Sequence, residues 1–147
     1  MEHQNGLKAS QYNELSRETI KVSARKLDNV LMPDNLIKPV VMKVDTQGSE
    51  VRVFQGAEKC LKLVDYLIVE YWPYGLHRMG DSIDAFISVV SQFPFGAIYN
   101  DSEIDIPSLL PIGDIIKIFR SIPQNDENTE HLDILLSRNN SPLGGQT

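Results

Sequence analysis

The chain has 147 residues, 41% of them hydrophobic and 23% charged, enough for one domain with a real core. Its net charge of −6, with Lys and Arg dispersed, excludes nucleic acid or an anionic membrane as the main partner, since both select a concentrated basic surface. No apolar run approaches the ~20 residues of a membrane span, and the polar opening MEHQNGLKAS lacks a signal-peptide stretch, so a cytoplasmic protein is expected.

Residues 1–19 read as a polar segment, either frayed or a surface helix around Gln11 to Glu18. Ile20, Val22 and Ala24 then alternate with Lys21 and Ser23, the pattern of a half-buried strand. Asp28 is placed to cap a short turn through Asn29 to Met32, which Pro33 stops. Val40 to Val44 is apolar and rich in β-branched residues, as in strands covered on both faces. Helical spacing follows at Val51, Phe54, Ala57, Leu61 and Val64, with Gly56 marking a kink or a close contact. A second apolar run, Tyr66 to Val69, completes a strand–helix–strand unit over residues 39–72.

Beyond a loop from Gly75 to Gly80, Asp81 or Ser82 can cap a helix whose inner face is Ile83, Phe86, Ile87, Val90 and Phe93. A short strand from Gly96 to Tyr99 ends at the turn-prone Asn100-Asp101. Ile112, Ile115, Ile116 and Phe119 mark another helix, with Pro111 near its first turn. After a polar loop from Gln124 to Glu130, Leu132 to Leu136 reads as the last strand, and residues 139–147 as a disordered tail. The alternation predicts a single α/β domain over residues 20–138, with a mainly parallel open sheet and helices on both faces.

Ligands on such sheets bind beyond the carboxyl ends of the strands, which directs attention to Asp45-Thr46-Gln47-Gly48 and to Glu70-Tyr71-Trp72. A carboxylate ending an apolar strand is costly unless hydrogen-bonded or at the rim. If the two strands pair, Asp45 and Glu70 lie about one strand spacing apart, ~5 Å. Neighbouring carboxylates raise one another's pKa and can supply a general base. Glu50, in the first helical turn, either complements the helix dipole or joins the site. Trp72, Tyr71 and Tyr74 form either an aromatic wall for a flat or sugar-like substrate or simple loop packing, and His77 is a further candidate base or acceptor-binding group. The lone Cys60 shares a helical face with Val53, Ala57 and Val64 and reads as a buried, inert thiol. His3, His77 and His131 have no metal-ligand spacing, so no metal is expected.

The stretch KVDTQGSEVRVFQGAEKCL followed by LIVEYWP closely resembles the signature of FkbM-type S-adenosylmethionine-dependent methyltransferases. The matching positions are Lys43-Val44-Asp45, then Gly48 and Glu50, then Phe54-Gln55-Gly56-Ala57-Glu58, then Glu70; Leu27-Asp28 and His131-Leu132-Asp133 also resemble family positions. The resemblance implies a Rossmann-like class I methyltransferase sheet whose last strand is antiparallel, and O-methylation of a sugar, lipid or secondary metabolite. It implies Asp45 or Glu70 as the catalytic base, Gln47, Glu50, Trp72 and His77 on the acceptor side, and Asp45, Thr46 and Gly48 near the cofactor S-adenosylmethionine. The nine glycines include no G-x-G, the family's main cofactor loop, so the sequence looks like the second half of the domain. A non-catalytic interaction module is the alternative, pairing through an exposed sheet edge as a homodimer or with a complementing half-domain. An α/β hydrolase or phosphate-binding domain lacks its G-x-S-x-G or G-x-x-x-x-G-K-[ST] element here.

Overall fold

The computed structural model describes residues 18–99, 108–123 and 130–140. The expected turn at Asn100-Asp101, most of the 124–130 loop, the first seventeen residues and the end of the tail lie outside the described residues. Five strands form one sheet: β1 (Val41–Val44), β2 (Tyr66–Tyr71), β3 (Phe95–Tyr99), β4 (Leu110–Pro111) and β5 (Leu132–Ser137). Their order is β1-β2-β5-β3-β4. Only β1 and β2 pair in parallel. β5 is antiparallel to both β2 and β3, as expected for the last strand, and β3 is antiparallel to β4. The sheet is therefore mixed rather than mainly parallel: β5 inserts between β2 and β3, two strands that run the same way.

The helices are α1 (Glu50–Gln55), α2 (Glu58–Leu61), α3 (Pro73–Arg78), α4 (Ile83–Val90) and α5 (Ile112–Ser121). All five contribute to one buried cluster, through residues such as Phe54, Leu61, Leu76, Phe86 and Phe119. Alternate strand residues Val44, Leu67, Val69, Ile134 and Leu136 meet them from one face of the sheet. Among the described residues all five helices pack toward that face, so the expected helices on both faces are not met, although Tyr66, Ala97 and Leu135 on the opposite face are also buried. On the other face Val41 is 53% exposed and the Lys43 side chain 66% exposed, so β1 is not buried on both sides. At the centre of the core, Tyr71 stacks on Phe119 at 4.4 Å and lies 5.3 Å from Phe86, and its hydroxyl donates to the Phe119 carbonyl.

Ser82 caps α4, its hydroxyl accepting from the Ala85 amide, while Ile83, Phe86, Ile87 and Val90 face inward. Other local expectations are corrected. Ile20 and Val22, at 79% and 76% exposure, form no strand, because nothing among the described residues pairs with that segment. The helix read from Val51 to Val64 ends at Gly56, and a second short helix starts after Ala57. Asp28 does not cap its own turn; its carboxylate accepts from the Lys59 and Cys60 amides and caps α2 from 31 residues away. The Gly75 to Gly80 loop contains most of α3, which starts at Pro73, a residue suited to a helix's first turn. Cys60 is buried, and burial, followed by the neighbouring Asp28, pushes its thiol pKa up.

Candidate functional site

β1 ends at Val44, and the chain turns sharply before α1. Gln47 (φ 55°) and Gly48 (φ 103°) both occupy the left-handed region. Glycine is required at 48 twice over: a side chain would be strained at that φ, and its Cβ would overlap the Gly75 carbonyl of α3. Glu50, wholly buried, organises the turn from beneath. Its Oε1 accepts from the Thr46 amide (2.9 Å), the Thr46 hydroxyl (3.0 Å) and the Gly48 amide (3.2 Å). Its Oε2 has no hydrogen-bond partner among the described residues. Arg78 of α3 donates to the Gln47 carbonyl at 2.8 Å and lies over the Trp72 ring.

The parallel register pairs Val44 with Val69, so the next residues, Asp45 and Glu70, sit side by side at the carboxyl rim. One side chain joins them. The Gln47 Nε2 donates to Asp45 Oδ1 (3.1 Å) and to Glu70 Oε2 (3.2 Å). Lys43 contacts Asp45 Oδ2 at 3.3 Å, and that partner raises the lysine's pKa. The Glu70 pKa is raised as well, by burial first and then by the Asp45 charge; Glu50 and Asp133 add to the rise and His131 opposes it. Asp133 reaches this rim because β5 lies beside β2, opposite Glu70 on one side and Tyr99 on the other.

Of the residues singled out from sequence, Asp45, Gln47 and Glu70 are brought into one hydrogen-bonded set. Thr46 and Gly48 give their donors to Glu50. Trp72, Tyr71 and Tyr74 are 7%, 0% and 5% exposed, so they pack inside rather than forming an open aromatic wall. His77 lies on α3, exposed to solvent. Sequence reasoning passed over Arg78, Gly75 and, as a site residue, Asp133. No local spacing marks them, since each reaches the loop or rim only through the placement of α3 or β5.

These elements define an open α/β domain with a carboxylate-lined rim at its parallel strand ends. The sequence matches the methyltransferase FkbM domain over residues 1–99, and the chain belongs to that family. The matched span takes in the whole β1–α1–β2 unit and ends with β3, before the His131-Leu132-Asp133 segment. No curated protein and no solved structure matches it significantly. Among the described residues no helix is long and apolar enough to cross a membrane, and no group of three or more His, Cys, Asp or Glu is arranged to hold a metal ion.

Proposed function

We propose that this chain takes part in S-adenosylmethionine-dependent O-methylation of a small molecule, glycan or lipid, with the Asp45–Glu70 rim facing the methyl acceptor. The observation that carries this reading is the pair of carboxylates on adjacent parallel strand ends, sharing one donor. When bound, the cofactor supplies an electrophilic methyl group on a positively charged sulfur. The rim suits such a group because it offers acceptor oxygens to ammonium and hydroxyl donors, Asp45 foremost. Thr46 and Gly48 support it indirectly, since their donors hold the loop to Glu50. Glu70, with its pKa shifted toward neutrality by burial, is the better base of the two for an acceptor hydroxyl. Lys43 lies 3.3 Å from the Asp45 carboxylate beside it.

With no G-x-G in the sequence, the glycine-rich loop that lets the backbone approach the cofactor closely is not supplied by these residues, and affinity should be low. Calorimetric titration of S-adenosylmethionine into the full chain is expected to give a Kd weaker than roughly 100 µM, and Asp45→Asn should abolish the signal. Low-micromolar binding that Asp45→Asn leaves unchanged would remove Asp45 from the cofactor contacts and defeat this reading.

A second reading, a module that pairs with another copy of itself, is supported by the sheet edge. β1 is the terminal strand among the described residues, and Val41 on it is 53% exposed. An antiparallel β1–β1 pairing centred on Val44 would set Lys43 of each copy opposite Asp45 of the other, a self-complementary arrangement. Light scattering at rising concentration should then report a dimer; a monomer at all concentrations removes this alternative.

A further inference from the structure

Gln47 performs neither of the steps assigned to the carboxylates, yet it is the residue on which their arrangement turns. We infer that Gln47 is the positioning residue of the rim, its carboxamide holding the Asp45 and Glu70 side chains on one neutral donor. The inference rests on the rim being the acceptor side, and deepens it by saying how the base is held.

Two like charges on neighbouring strand ends repel, and a donor shared between them stabilises both in their charged form. An amide nitrogen carries two N–H bonds, and here it meets two carboxylate oxygens at 3.1 and 3.2 Å. The backbone that carries this side chain is held independently. Gln47 is in the left-handed region, its carbonyl is bonded by Arg78, and the adjacent Gly48 is seated against Gly75. A cation at 47 would orient the carboxylates too, but would lower the Glu70 pKa and weaken it as a base; a third carboxylate would drive the pair apart. A neutral donor orients without discharging. The charged groups around Glu70 are Asp45 from the end of β1, Glu50 from α1, and His131 and Asp133 from β5 and its approach. Their mixture leaves the amide as the hydrogen-bonding link between the two strand ends.

Carbon-13 NMR of the Glu70 carboxyl, titrated in the full chain, tests this without cofactor. Gln47→Ala should raise the Glu70 midpoint by about half a pH unit, and Gln47→Lys should lower it below that of the unsubstituted protein. Gln47→Asn keeps a residue tolerant of the left-handed backbone but shortens the amide, and should follow Gln47→Ala. A purely structural role would change the unfolding temperature and leave the midpoint where it was. A midpoint unmoved to within about 0.2 units in the alanine and lysine variants overturns the inference. If the midpoint moves while calorimetry finds no effect of Asp45→Asn on cofactor binding, the positioning role stands and the methyl-transfer reading fails.

Discussion

At Gly48 two separate constraints fall on one atom: a side chain would be strained at a φ of 103°, and the Gly75 backbone fills the space it would need. Gly48→Ala should therefore cost at least about 2 kcal/mol, read from urea unfolding. Gly56 offers the contrast. It is right-handed and the nearest atom to an added Cβ is 3.4 Å away, so Gly56→Ala should change stability by less than about 1 kcal/mol. Glu70 carries a pH signature. Its folded pKa lies above the ordinary 4.5, so in that interval the folded protein holds more protons than the unfolded chain, and stability falls as pH rises through it. Glu70→Gln should raise the neutral-pH melting temperature and flatten its pH dependence above 4.5; a lower melting temperature at pH 7 would contradict the burial penalty. Asp28 has the opposite sign, because the Lys59 amide and then the Cys60 amide hold its carboxyl below 3.8 against the opposing effect of burial. Its contribution is present above that value and is lost as acid protonates it.

Among the elements, α4 was the most legible, since a hydroxyl cap and an apolar face at helical spacing agree over eight residues. Phe86 of that face touches Phe54, Tyr71 and Phe119 at ring-centroid distances of 6.4, 5.3 and 5.9 Å. Phe86→Ala should cost about 3–5 kcal/mol by chemical denaturation. The α1–α2 break was less legible. The apolar spacing runs through Gly56 undisturbed, and only the Asp28 carboxylate arriving from the preceding segment gives α2 its own cap. Asp28→Ala should loosen α2 selectively, seen as faster amide exchange at Lys59 and Cys60 than in α4. The alternation at Ile20 and Val22 misled for a related reason: a strand exists only when another strand completes its hydrogen bonds, and pattern alone does not supply one.

On the scale of the whole molecule, the sheet carries its helices on one face and ends at β1 among the described residues. Exposed Val41 on an unpaired edge is the feature most prone to pairing with another chain. Val41→Lys should shift any concentration-dependent association toward monomer in sedimentation while leaving the fold intact.

By itself the sequence determined the strand–helix–strand unit, the family, and the neighbouring placement of Asp45 and Glu70, because alternation, helical spacing and strand-end position are local properties of consecutive residues. Tertiary structure alone decided that β5 enters between β2 and β3, and that Arg78 and Gly75 of α3 support Gln47 and Gly48. Those arrangements join segments tens of residues apart, and their energies come from packing and hydrogen bonds that no short stretch of chain encodes.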